Sequence, residues 1–213
     1  PDLYSEWGYG VGKVADREKA VARLDAAQKM SPSAIDNTNL GWAYYNAAYT
    51  QTAAKNDAAA KTNYELGKTY LQKAIEQDPK LDAAYLNLGS THNALGEYQD
   101  AVTVLKVATS LHPKWVIAIN QLGLGFRGLK DFANAISIFK QALDLDKRNT
   151  FGLFNLGETY FASGNAKEAK KIKDHFKYIA TALDRRRDDD LTGQGGVEAG
   201  HHTKEQQKDK PPN

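Results

Sequence analysis

The chain has 213 residues, 28 Lys and Arg against 26 Asp and Glu, and no cysteine. A net charge of +2 argues against a general nucleic-acid binder, and the missing thiols exclude disulfides, zinc-thiolate sites and a cysteine nucleophile. Mean hydropathy is −0.60, and no apolar run approaches the roughly eighteen residues that a membrane helix needs.

The sequence opens on Pro1, which reads as a processed terminus or an artificial boundary. Together with the lack of cysteine it points towards an exported protein. A first unit spans residues 1–33, with Tyr4, Trp7-Gly8, Ala20, Leu24, Ala27 and Pro32 in columns that recur along the chain. A second, over 34–81, holds Leu40-Gly41 and Tyr44, then Gly67, Leu71, Ala74 and Pro79. Tyr44 to Gly67 spans 23 residues where the next unit uses 9 from His92 to Ala101, so residues 51–63 or so are extra. Their alanine-rich composition favours two lengthened helices, and hence a projecting hairpin, over an open loop.

Units three and four, 82–115 and 116–149, superpose with a shift of 34 residues and no gap. Tyr85 meets Ile119, Leu88 meets Leu122, Gly89 meets Gly123, Ala101 meets Ala135, Leu105 meets Phe139 and Ala108 meets Ala142. Tyr85, Leu88, Gly89 and His92 fall at i, i+3, i+4 and i+7, one face of a helix. Gly96 turns the chain, Ala101, Leu105 and Ala108 mark a second helix, and Pro113 stops it. A mid-helix glycine costs roughly 1 kcal/mol against alanine, so Gly89 and Gly123 predict close approach of helix backbones. Lys147 stands where the fourth unit's closing proline is expected.

The fifth unit, 150–183, begins in register with Leu153, Leu156-Gly157, Tyr160, Gly164 and Ala169. Lys173 and Phe176 then occupy an apolar and a small-residue column. A long helix from Ala166 to about Arg187, with Ile172, Phe176, Ile179 and Leu183 inward, is expected to cap the array. Residues 184–213 run Arg185-Arg186-Arg187 into Asp188-Asp189-Asp190 and are otherwise nearly free of apolar residues. They read as a disordered tail.

Units in phase at this period indicate stacked repeats and not one global core. Tyr85, Leu88-Gly89, Ala101, Leu105, Ala108 and Pro113 resemble the tetratricopeptide repeat, and the resemblance covers roughly residues 1–183. It implies an all-α, right-handed superhelical solenoid of about five helix-turn-helix repeats with a polar C-terminal tail. It also implies a non-enzymatic scaffold for protein–protein interaction, with the first helix of each repeat lining a concave groove. Carried over place by place, the family's inward positions are Tyr9 and Lys13; Ile35, Thr38, Trp42, Tyr45 and Asn46; and Leu86, Ser90 and Asn93. The fourth unit supplies Ile117, Asn120, Leu124 and Arg127, and the fifth Phe151, Phe154, Glu158 and Phe161. An aromatic, amide-rich lining suits an apolar peptide, helix or tail as partner. The carboxylate clamp of the chaperone-binding members is not expected, because Trp42, Leu86, Ser90 and Leu124 stand at its places.

The alternative is a structural protein that assembles head to tail into oligomers or filaments. Its contacts would be Tyr4 and Trp7 at one end and Phe176 and Ile179 at the other. No catalytic, cofactor or metal site is expected. His92 reads as a packed histidine, His112 as a surface one, and His201-His202 lacks a third ligand at metal-site spacing.

Overall fold

The computed structural model describes residues 14–30 and 33–192, so Tyr4, Trp7, Tyr9 and the segment beyond Thr192 lie outside the described residues. These residues form helices and no strand. The helices are α1 (Val14–Met30), α2 (Ala34–Ala53), α3 (Asp57–Gln77), α4 (Asp82–Leu95), α5 (Tyr98–Leu111), α6 (Val116–Gly128), α7 (Phe132–Leu145), α8 (Thr150–Ala162) and α9 (Ala166–Thr192). They divide into two compact units, one ending at Lys147 and one beginning at Arg148. Short polar side chains start most of the helices whose caps are described. Ser33, Asn56, Asp131 and Asn149 each accept a hydrogen bond from the backbone N–H three residues on, which satisfies a donor that the first turn leaves open.

In the first unit every packed pair of helices is a chain neighbour or a next-but-one neighbour. α2 and α3, α4 and α5, and α6 and α7 are hairpins, α4 also touches α2 and α6, and α1 lies on α2. Burial is correspondingly local. One cluster joins Leu86, Ala101, Val102, Leu105, Ala108, Ala118 and Leu122 across α4, α5 and α6. A smaller one joins Ala48, Ala60 and Tyr64 across α2 and α3. This is an all-α solenoid of helical hairpins.

Each hairpin of the first unit is locked by one large side chain standing over a glycine. A Cβ at Gly89 would run into the side chain of Leu105, and one at Gly123 would lie 2.6 Å from the Phe139 ring. Leu105 and Phe139 are fully buried in those spaces. The backbone approach expected from the sequence occurs in the second repeat alone. There a Cβ on Gly67 would stand 3.0 Å from the Gly41 carbonyl, and Leu71 fills the rest. In the third and fourth repeats the glycine makes room for a side chain instead. The fifth repeat is looser, because Lys173 replaces the large apolar residue. A Cβ on Gly157 would meet only Ile172 and Lys173, both at 3.4 Å.

The four described turns inside hairpins share one geometry. Asn56, Glu97, Asp131 and Asn165 each donate a 2.9 Å hydrogen bond to the carbonyl five residues back, on Gln51, His92, Phe126 and Tyr160. The residue before each donor is left-handed: Lys55 (φ 58°), Gly96 (φ 78°), Lys130 (φ 60°) and Gly164 (φ 82°). This is the usual left-handed helix termination, and two lysines carry it at a steric cost that glycine avoids. α2 and α3, at 20 and 21 residues against 14 each for α4 and α5, end in the same turn. Proline is not needed at the other end of the hairpin. Asp78, His112 and Asp146 leave their helices at φ −138°, −135° and −140°, although Lys147 and not Pro follows the last.

In the second unit α8 packs on α9, and Leu153, Leu156, Tyr160 and Ala169 are buried. α9 runs to Thr192, a few residues past the end near Arg187 expected from the sequence.

Three stability outcomes follow from this packing and these turns. Gly89→Ala should lose about 1–3 kcal/mol by overpacking against Leu105, whereas Gly157→Ala should be neutral or gain up to about 1 kcal/mol in helix propensity. Lys130→Gly should gain about 1 kcal/mol by relieving the left-handed lysine. Urea midpoints measure all three. Equal effects at Gly89 and Gly157 would contradict the assignment of Leu105 as the locking side chain.

Candidate partner-binding faces

The first helices carry the candidate residues, and burial divides them into two groups. Thr38, Leu86, Ser90 and Asn120 are buried, Leu86 within the α4–α5–α6 cluster. Leu86 and Asn120 are therefore packing residues, not a lining that a partner could reach. Helical spacing alone could not separate them from their exposed neighbours. Ile35 and Ile117 are exposed, and Trp42, Tyr45, Asn46, Asn93, Leu124 and Arg127 are half-buried. The Trp42 and Tyr45 rings stack at 5.0 Å between centroids, and Tyr45 meets Tyr64 edge-on at 5.5 Å. Trp42 thus leans on the core of its own hairpin and does not simply point off the stack. Asn46 donates to the Trp42 carbonyl at 2.9 Å. Asn93 spans to α6, donating to the Gln121 backbone carbonyl at 2.9 Å.

In the second unit Phe151, Phe154 and Phe161 are 45%, 52% and 64% exposed on one side of α8. Glu158 lies among them and pairs with Lys173 of α9 at 2.9 Å, while the Lys173 ammonium stands 5.2 Å from the Phe161 ring centre. Phe176 is half-buried, 6.1 Å from Phe154. The side chain of Ile179 lies outside the described residues.

The tetratricopeptide-repeat model matches twice, over residues 70–103 and 126–174. The solved structure of MamA 41-end from Desulfovibrio magneticus RS-1 aligns with a TM-score of 0.67 at 19% identity, over 79% of this chain and 88% of that one. A crystal structure of MamA aligns at 0.62 and 19%, over 80% and 92%. MamA MSR-1 C2 aligns at 0.54 and 23%, over 80% and 95%. No curated protein matches the sequence. This chain is a tetratricopeptide-repeat protein.

The same fold carries a charged cleft between its second and third repeats, formed by α3, α4 and α5. The cleft, about 400 Å³, is lined by Lys68, Gln72, His92, Glu97, Asp100 and Thr103 among others. The Lys68 ammonium donates to both oxygens of Glu97, at 2.9 and 3.2 Å, and lies 2.7 Å from Glu65. His92 Nδ1 lies 2.6 Å from Oε2 of the same carboxylate. Burial opposes ionisation of Glu97, but the hydrogen bonds from Lys68 and His92 outweigh it and hold its carboxyl below the ordinary value. Burial likewise opposes the charge on Lys68, and Glu65 and Glu97 outweigh it and raise its pKa.

His92, Glu97 and Asp100 bring one nitrogen and two carboxylate oxygens within 4.8 Å of one another, a donor set of the kind that binds divalent metals. In this fold the lysine already supplies the compensating positive charge. His92 is the packed histidine its column suggested, 7% exposed, and it ties α4 to the turn that follows. His112 is a surface residue, 3.3 Å from Asp82.

Glu97 is more acidic folded than unfolded, so its contribution is present above the ordinary carboxylate range and is lost as the pH falls through that range. Glu97→Gln should therefore lower the urea midpoint at neutral pH, and the gap from the wild type should narrow as the pH falls through the lowered pKa of Glu97. A gap independent of pH would mean that the Lys68–Glu97–His92 contact adds no charge-dependent stability.

Proposed function

We propose that this protein is a non-enzymatic interaction scaffold that holds an apolar peptide, helix or tail of a partner on the faces of its first helices. The row of Phe151, Phe154 and Phe161 carries the reading. Single exposed apolar residues are ordinary, but three large rings grouped on one helix face are what an interaction surface presents. The tetratricopeptide-repeat fold supports the same reading, since in such arrays function resides in the surfaces that successive repeats expose. Ile35, Trp42, Ile117, Leu124 and Arg127 offer a second, more mixed surface on the first unit. Self-assembly through Tyr4, Trp7, Phe176 and Ile179 is the second reading, and it has to draw on a Phe176 that already leans on Phe154.

Phe154→Ala and Phe161→Ala should each weaken binding of a partner isolated with the native protein by about 1–2 kcal/mol, with helicity unchanged. Trp42→Ala should cost stability as well, because its ring supports Tyr45. Binding undiminished in the Phe154/Phe161 double variant would move the site to the second-helix faces or to the long α2–α3 hairpin. Sedimentation that shifts with concentration would favour assembly of the chain with itself.

A further inference from the structure

The aromatic face of α8 does not end in neutral surroundings. From Ala166 to Thr181, α9 carries five lysines, at 167, 170, 171, 173 and 177, against two acids, Glu168 and Asp174. Lys170, Lys173 and Lys177 recur at i, i+3 and i+7, so they line one side of the helix. All three are exposed. Lys173 lies against α8, reaching Glu158 and the Phe161 ring, and Phe176, at i+3 from it, touches Phe154. The lysine row therefore meets the phenylalanine face at Lys173, with Lys170 and Lys177 about one turn to either side. Lys171 is paired with Glu168 at 2.7 Å, whereas Lys170 and Lys177 form no ion pair among the described residues.

Apolar rings bordered by a row of cations demand a ligand that is apolar on one side and acidic beside it. We infer that the Phe151–Phe154–Phe161 face, with the Lys170–Lys173–Lys177 row, takes an acidic amphipathic helix from a partner protein. Its apolar residues lie on the phenylalanines and its carboxylates on the lysines. This rests on the scaffold reading above and names the chemistry of the partner. An anionic bilayer shares the attraction to lysine. However, Glu158 sits among the rings, one turn from both Phe154 and Phe161, and a carboxylate there opposes entry of that face into an anionic membrane. A helix can instead leave Glu158 paired with Lys173, because Lys170 and Lys177 supply the free cations.

The test uses the full chain and two fluorescein-labelled synthetic helices with the same leucine stripe, one bearing glutamates and the other glutamines beside it. Fluorescence anisotropy should show the glutamate helix binding about tenfold more tightly, the combined effect of a few exposed ion pairs. That preference should shrink with added salt and vanish in Lys170→Gln/Lys177→Gln, while Phe154→Ala should weaken both helices. Equal binding of the two helices, or a preference that survives the lysine substitutions, would overturn the acidic partner and leave the scaffold reading intact. Binding of neither helix would overturn both. If the lysine substitutions abolished binding to phosphatidylglycerol vesicles but left peptide binding unchanged, the row would belong to a lipid surface and the inference would fall.

Discussion

The structure depends on one repeated contact, a large side chain from the second helix of a hairpin seated on a glycine of the first. Leu71 over Gly41, Leu105 over Gly89 and Phe139 over Gly123 bring each pair of helices close enough to bury the alanines beside them. Ala101, Ala108, Ala135 and Ala142 are all fully buried, and residues so small bury nothing unless the helices already touch. The glycine's loss of helix propensity, roughly 1 kcal/mol, is offset by burial of a whole Leu or Phe, worth about 1.5–3 kcal/mol. Where the contact is missing, at Gly157 and Lys173, the helix pair is looser and its lysine turns outward to Glu158 and Phe161.

Because each contact closes within one hairpin, the faces that the first helices turn outward are free of structural duty at several positions. Function can occupy those positions without costing the fold. Ile35, Ile117, Phe151, Phe154 and Phe161 stay exposed although they are apolar, whereas their helical neighbours Thr38, Asn120 and Asn155 are buried. The same locality explains the long α2–α3 pair. Its extra turns add the Ala48–Ala60–Tyr64 cluster and close with the same left-handed turn as the shorter hairpins, so an insertion changes length without changing the end.

The repeat phase and the turn at Gly96 could be read from the sequence because each rests on residues with few alternatives. A mid-helix glycine signals close packing, but that the side chains of Leu105 and Phe139, not a backbone, fill the space at Gly89 and Gly123 could not be read. What could not be read depended on side-chain reach or on finer geometry. Lys55 and Lys130 adopt a backbone that glycine prefers, and only the common turn makes that visible. Lys68 lies 29 residues from Glu97, and no local pattern pairs them. Leu86 and Leu124 both sit at inward columns, yet only Leu86 is buried, because burial depends on what the adjoining repeat places opposite. The lysine row beside the phenylalanines was visible as charge, but its position beside Phe161 required the packing of α8 on α9.

Site-specific photo-crosslinking tests the central claim most directly. A benzophenone side chain would be placed in turn at Phe154 and Ile117 on first helices, and at Leu66 and Val107, exposed on second helices. The protein would then be irradiated with its native partner bound. The account predicts crosslinks to the partner from Phe154, with or without Ile117, and none from Leu66 or Val107. Crosslinks confined to Leu66 and Val107 would show that the partner lies on the second-helix faces, and the first-helix scaffold would be wrong.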